Sequence, residues 1–169
     1  MVTAPNMVQK QTMKLLTNEN DVKTTASMLM MKEKWLRKIM NGTKTWEIRG
    51  SNCKKHKKKT IYFAFDKKIH GCAFLYEVEK LDLEKLKQHA DKTAIPNPRN
   101  EKIIQRYLEK RGCYAYKFKN VVKFKHPVCF DYDAIKGPKR GPVTWNTLPH
   151  YLLIKCQKAI EKGAKVEIL

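Results

Sequence analysis

The sequence predicts one mixed α+β domain, in which short strands form a small β-barrel and helices pack around it. Two features of the 169-residue chain lead to this fold class. Short apolar runs, several with the alternating period of a strand, recur along most of the chain, and segments with the i, i+4 spacing of amphipathic helices lie between them. A core made mainly of short strands must bury its edges, which favours closure of the sheet.

The chain divides into two parts, of which only the second shows the apolar periods of helices and strands. Residues 1–25 are polar and weakly periodic, and they are predicted to be a flexible N-terminal tail. Residues 26–169 are predicted to form a single domain, which begins with a strand at residues 28–31 and ends with a helix at about residues 149–163.

An amphipathic helix is predicted directly after the first strand. The segment KEKWLRKIMNG contains two i, i+4 apolar pairs, Trp35 with Ile39 and Leu36 with Met40, so one face of the helix is apolar. Gly42 can adopt the left-handed backbone conformation that commonly ends a helix. The helix is therefore expected to stop at Gly42.

The next segment, KTWEIRG, is predicted to be a strand with one apolar and one charged face. Trp46 and Ile48 point to one side, and Glu47 and Arg49 point to the other, about 6.5–7 Å apart at their Cα atoms. Lys44 stands at the entrance to the strand. Two cations and a carboxylate at a helix–strand junction can bind a polar ligand, whereas the plain alternative is an exposed face with a weak ion pair.

The rest of the domain is predicted to contain further strands and two inserted helices. A buried strand is expected at residues 59–65, and a longer strand with a bulge at Gly71 is expected at residues 69–81. Asp82 and Asn100 can each cap one of the helices. Three strands, CYAYKF, NVVKFK and PVCFDY, and a closing strand at VTW are expected to precede the C-terminal helix.

The charge of the chain indicates a polyanionic partner. The 36 lysines and arginines against 16 acidic residues give a formal net charge of +20, which repels itself unless an anion relieves it. Nucleic acid is the first candidate, because each phosphate contact releases counterions. An anionic membrane is the second candidate, and a charge that only serves solubility is the third. No apolar segment approaches the ~18 residues of a membrane span, and our expectation is that no membrane partner is involved.

Lysines and one arginine are the residues predicted to contact phosphate. Most of them lie in the run CKKHKKK, between two predicted strands, and the others lie in the turn-rich segment KGPKRGP. Lysine suits phosphate because the contact needs charge and reach but no fixed geometry. The predicted phosphate-contacting residues are Lys54, Lys55, Lys57, Lys58, Lys59, Lys139 and Arg140.

The cysteines favour a reducing compartment and do not form a metal motif. Five cysteines at wide spacings argue against a disulfide scaffold, so we expect an intracellular protein, in the cytoplasm or the nucleus. Cys53-x-x-His56 and His70-x-Cys72 have ligand spacings but do not make a matched pair of knuckles. No metal and no other cofactor is expected.

The residues around the charged strand resemble a known family. Gly42, Lys44, Glu47 and Arg49 match the pattern G-x-K-x-x-E-x-R, which after an amphipathic helix resembles the signature of the ASCH family, whose fold is PUA-like. HGCAFLYEVEKLDLEKL and VKFKHPVCF…GPVTWNTL resemble later blocks of the same family, so the resemblance spans about residues 28–148. It implies a β-barrel of the PUA/ASCH type, with the signature lysine, glutamate and arginine lining a cleft beside the first helix.

The resemblance also implies a choice between binding and catalysis. Related domains bind RNA, some members bind DNA, certain small bacterial members are amidohydrolases of acetylated cytidine, and one has been described as a ribonuclease. The amidohydrolases use a lysine, a threonine and a glutamate; Lys44 matches the lysine, but Glu47 stands where the threonine is expected. A carboxylate cannot serve as an activated hydroxyl. Glu77 or Glu79 is the candidate for the distant glutamate.

Three functions are therefore open. The favoured one is binding of RNA, with DNA as the other nucleic acid, in a cleft for a base or modified nucleoside formed by Lys44, Trp46, Glu47 and Arg49. The second is an enzyme acting on RNA or on a modified nucleoside, a ribonuclease or amidohydrolase that uses Lys44 and Glu47 as acid and base. The third is a nuclear coactivator-type interaction module.

Overall fold

The computed structural model describes residues 6–10, 26–131 and 145–168. Within these residues the strands form one seven-stranded sheet. The strands are β1 (Ala26–Met30), β2 (Trp46–Arg49), β3 (Lys59–Phe65), β4 (Lys68–Leu81), β5 (Cys113–Cys129), β6 (Trp145–Leu148) and β7 (Ala164–Lys165). The helices are α1 (Glu33–Met40), α2 (Leu83–Gln88), α3 (Ala90–Thr93), α4 (Lys102–Lys110) and α5 (His150–Lys162).

The order of strands across the sheet is β2-β5-β4-β3-β1-β6, and β7 pairs with β5. The pair β1–β3 is parallel, and the other pairs are antiparallel. The mixed α+β class is therefore confirmed. Among the described strands the path is open, with β2 and β6 at its ends, so the predicted barrel is not a closed one.

Apolar layers cover both faces of the sheet, because alternate residues of β1 and β3 point to opposite sides. On one side Met28 and Tyr62 pack against the apolar face of α5. On the other side Leu29 and Phe63 pack against the apolar face of α1. A third cluster joins β2 to the inserted helices α2 and α4. The charged strand β2 thus lies at the end of the sheet that the inserted helices cover.

Strand β5 differs from its prediction. The sequence predicts three strands between residues 113 and 132, but the structure has one strand of 17 residues, Cys113–Cys129. Asn120 has a positive φ of 54° inside this strand. The register between β4 and β5 shifts at three places, including next to Gly71, so bulges absorb the irregularities that the sequence presents as strand ends.

The N-terminal segment is partly described. Residues 7–10 are helical, and Val8 is fully buried in the cluster that also contains Leu152 and Leu153 of α5. Val8 therefore packs on the domain. The remaining residues of the segment before Ala26 lie outside the described ranges.

Candidate ligand cleft and basic loop

The turn between α1 and β2 directs Lys44 into the protein. Gly42 takes a φ of +81°, and the backbone amides of Thr43 and Lys44 both donate to the carbonyl of Lys38 at 3.0 Å. A side chain at Gly42 would collide with the carbonyl oxygen of Glu167, so this tight turn requires glycine. The predicted helix stop at Gly42 is confirmed.

Lys44, Glu47 and Arg49 form one buried charge network. Their exposed fractions are only 1%, 4% and 8%. Glu47 Oε2 accepts from Arg49 Nε at 3.2 Å and from Arg49 Nη2 at 3.1 Å, and Glu47 Oε1 lies 3.6 Å from Lys44 Nζ. The carboxylate is thus held between two cations, which is the arrangement that makes its burial tolerable.

Backbone carbonyls from two other elements complete the network. Lys44 Nζ donates to the carbonyl of Thr93 at 2.5 Å, and Arg49 Nη2 donates to the carbonyl of Met30 at 3.4 Å. Burial lowers the pKa of the Lys44 ammonium below its ordinary value, although Glu47 opposes the shift. The network therefore fixes three side chains that line one cavity.

This cavity, the cleft, has a volume of about 80 Å³ and is formed by β2, α1 and α4. Lys44, Glu47 and Arg49 line it together, as the resemblance implies. The cleft is also lined by Lys32, Trp35, Ile48, Ile95, Glu101, Ile103, Ile104 and Tyr107. It combines cations, carboxylates and two aromatic rings, so it can contact both the edge and the face of a heterocycle.

Trp46 does not line the cleft, contrary to its prediction. Its ring is buried on the other side of β2, 4.7 Å from the ring of His89 and 4.2 Å from Lys117 Nζ. The strand alternation that turns Glu47 toward the cleft turns Trp46 away from it. Trp35 of α1 supplies the indole instead, and Lys44 Nζ lies 4.7 Å from its ring centre.

The two candidates for a distant glutamate are also outside the cleft. Glu77 and Glu79 both pair with Lys117, at 3.3 and 2.6 Å, on the same side of β2 as Trp46. Among the described residues neither one lines the cleft. Glu101 is the second carboxylate at the cleft, and nothing in its local sequence indicates this position.

The lysine loop comprises residues 54–59, and all five of its predicted phosphate-contacting lysines are exposed. It contains a 3-10 turn at Lys54–His56 and then enters β3. His56 anchors it: its ring stacks on Trp145 with centres 3.9 Å apart, and its Nδ1 lies 2.7 Å from Ser27 Oγ. The exposed lysines thus sit on a buried histidine.

The two other predicted phosphate contacts, Lys139 and Arg140, lie outside the described residues. Within the part that the structure describes, there is no group of three or more His, Cys, Asp or Glu residues that could hold a metal ion. No helix in that part is long and apolar enough to cross a membrane.

Comparison with known protein families identifies the class of protein to which this fold belongs. The model of the ASCH domain matches residues 29–127, which include the helix, the charged strand and most of the sheet. The chain therefore belongs to the ASCH domain family. The ASCH domain is a PUA-like fold that is generally associated with RNA binding.

Solved structures support the fold. The crystal structure of ASCH from Zymomonas mobilis is similar with a TM-score of 0.55 and 18% identity, over 84% of this chain and 98% of that chain. A serine-to-alanine mutant of that protein is similar with a TM-score of 0.56 and 18% identity, over 82% of this chain and 96% of that chain. A tyrosine-to-phenylalanine mutant is similar with a TM-score of 0.54 and 17% identity, over 82% of this chain and 99% of that chain. No curated protein matches the chain.

Proposed function

We propose that this ASCH domain binds RNA, with a base or modified nucleoside in the cleft and the phosphates of flanking nucleotides on the lysine loop. The observation that carries the proposal is the buried network of Lys44, Glu47 and Arg49 at the floor of the cleft. A purely structural role would not require three ionised groups here, because an apolar cluster of similar volume is often equally stable.

The cleft offers the chemistry that recognises an unstacked base. Arg49 has five N–H donors, and the bonds within the described residues use only its Nε and Nη2 atoms. Glu47 and Glu101 can accept from an exocyclic amino group. The rings of Trp35 and Tyr107 provide faces on which a base can stack, which is how single-stranded RNA is commonly held.

The lysine loop lies within reach of the cleft. Strand β2, which carries Glu47 and Arg49, ends at Arg49, and Lys54 is five residues further on. Five residues span at most roughly 17–18 Å, so the first lysine of the loop lies within that distance of the end of β2. DNA presents the same phosphates, and competition between RNA and DNA strands of one sequence separates the two nucleic acids.

The binding itself can be measured by fluorescence anisotropy with a labelled single-stranded RNA. We expect the affinity to fall steeply with salt, since about 0.7 counterions are released per phosphate contact on a single strand. Binding that does not respond to salt, or no binding at low salt, contradicts the proposal.

Blocking the cleft separates base recognition from phosphate contact. Ile103 lines the cleft and is 49% exposed, so Ile103→Trp should fill the entrance and leave the buried network in place. We expect this variant to lose discrimination between RNAs of different sequence or modification, with affinity for the preferred RNA about tenfold lower. Ile154, which is 40% exposed on α5, provides the matched control Ile154→Trp. If both variants show the same affinity and the same discrimination between RNAs, the cleft does not take part in RNA binding.

The low pKa of Lys44 favours a second candidate, an enzyme acting on RNA or on a modified nucleoside. A buried lysine with a lowered pKa can take up a proton, and Glu47 lies beside it. We expect any turnover of RNA or acylated nucleosides to drop at least 10²-fold in Lys44→Arg, which keeps the charge but cannot deprotonate. Assays of the wild-type protein with both substrate classes check this, and an absence of turnover in both excludes the enzyme.

A further inference from the structure

A second cavity adjoins the cleft at the end of β2. Its volume is about 360 Å³, and Arg49 and Tyr107 line both cavities. The cleft alone is smaller than common ligand sites of ~300–1,000 Å³, whereas the second cavity lies within that range. Because the two cavities adjoin, together they offer room for a base and its phosphate.

The second cavity is lined by cations, and none of the described residues in its wall is acidic. Arg106 and Lys110 come from α4, Arg111 directly follows that helix, and Arg49 comes from β2. Arg106 and Lys110 are four residues apart, so they lie on the same helical face and repel each other. Ser51 also lines this cavity, and its hydroxyl lies 3.0 Å from the hydroxyl of Tyr116.

Three other cations, on α2 and on the sheet, are paired with carboxylates. Lys87 pairs with Glu84, Lys85 pairs with Glu79, and Lys117 pairs with two carboxylates. Within the described ranges, no ion pair involves Arg106, Lys110 or Arg111, whereas Arg49 pairs with Glu47. These three exposed cations therefore lack a carboxylate partner among the described residues, and a bound anion would relieve their mutual repulsion.

The close contact between Gly50 and Tyr107 joins the two cavities. A Cβ atom at Gly50 would overlap the ring of Tyr107, so the end of β2 and the face of α4 approach each other more closely than a larger residue permits. Tyr107 thereby stands at the boundary of the two cavities, and Arg49 reaches from the network on one side to the basic wall on the other.

From this geometry we infer that the second cavity is a phosphate subsite, which binds the phosphate of the nucleotide whose base occupies the cleft. The ligand of the cleft is then a nucleotide and not a free nucleoside. This inference rests on the proposed RNA binding, because it assigns the base to the cleft. Arginine suits such a site, since its planar group donates two parallel hydrogen bonds to phosphate oxygens, and three arginines line this cavity.

Titration with inorganic phosphate tests the subsite without RNA. The N–H resonances of the arginine side chains can be followed by NMR, with chloride at the same ionic strength as the reference. We expect the Nε–H signals of Arg106 and Arg111 to shift saturably with phosphate only, while the exposed Arg37 and Arg99 do not respond. Equal shifts at all four arginines, or equal shifts with chloride, overturn the phosphate subsite.

A charge-matched pair of variants tests the link to the cleft. The double variant Arg106→Gln/Lys110→Gln removes two exposed cations of the subsite, and Lys155→Gln/Lys158→Gln removes two exposed cations from α5 on the opposite face of the sheet. We expect the first variant to bind nucleoside monophosphates about tenfold or more weakly, to keep its affinity for nucleosides, and to lower the salt slope for RNA by about 1.4. The control should change none of these.

The outcomes separate this inference from the proposed function. If nucleosides and their monophosphates bind equally well, and the first variant behaves like its control, the subsite is wrong while RNA binding by the lysine loop stands. If polyglutamate competes as well as RNA of the same charge, the cavity is a general anion surface and the subsite is again wrong. If the wild-type protein binds neither RNA nor nucleosides, the proposed function fails, and the phosphate titration decides whether an anion site remains.

Discussion

Replacing Glu47 by leucine should lower the free energy of unfolding by about 3–5 kcal/mol, because it leaves Lys44 and Arg49 buried without their shared carboxylate. Urea denaturation measures the change. The matched control is Glu77→Leu, which breaks an ion pair whose carboxylate is nearly half exposed, and its cost should be about 0–1 kcal/mol. Equal losses in the two variants would show that the network at the cleft has no special energetic role.

A triple variant separates stability from ligand binding at the same site. Lys44→Met, Glu47→Leu and Arg49→Met together remove all three charges and keep similar volumes, and replacement of a whole buried network is often neutral or stabilising. We expect the triple variant to regain most of the stability that Glu47→Leu loses and to lose recognition of the base. Full RNA discrimination by a stable triple variant would contradict the proposed use of the cleft.

Neutralising part of the lysine loop should weaken RNA binding about thirtyfold at about 0.2 M salt and lower the salt slope by about 2, if three phosphate contacts are lost. The loss should be similar for all sequences, because phosphate contacts carry no sequence information. Anisotropy measurements over a range of salt concentrations give both numbers. The substituted residues are Lys54→Gln, Lys55→Gln and Lys57→Gln, and the control substitutions on α5 are Lys155→Gln, Lys158→Gln and Lys162→Gln.

The control carries the same change in net charge on the opposite face of the sheet. If both sets of substitutions weaken binding equally, the interaction depends on overall charge and the lysine loop is not a specific contact surface. If neither set has an effect, RNA does not reach the loop.

The local part of the site was predictable from the sequence because it depends on short-range rules. Gly42 ends the helix because glycine readily adopts the left-handed backbone conformation found there. The two-residue period of a strand puts Glu47 and Arg49 on the same side, independent of what packs against the strand. The same period assigns Trp46 to the other side, but it does not reveal which side carries the ligand. Trp35 could be recognised as apolar, yet only packing places its ring over Lys44.

The long-range part was not predictable from a single sequence. Tyr107 and Arg106 lie on a helix whose apolar pattern indicates burial, but nothing in that pattern says that the helix packs against β2. Strand β5 was predicted as three strands, whereas pairing with β4 holds the chain extended from Cys113 to Cys129. In each case a contact distant in sequence overrides the local preference.

The buried histidine under the lysine loop has a consequence for acidity. Burial, together with Lys55 and Lys59, lowers the pKa of His56 to about 4, so the ring stays neutral at every physiological pH. Between about pH 6.5 and pH 4 the unfolded chain binds a proton that the folded chain does not, and acid in this range therefore destabilises the fold. Down to about pH 4 the positive charge of the loop comes from its lysines alone. Because His56 stays neutral, it adds no charged contact to the loop as the pH falls.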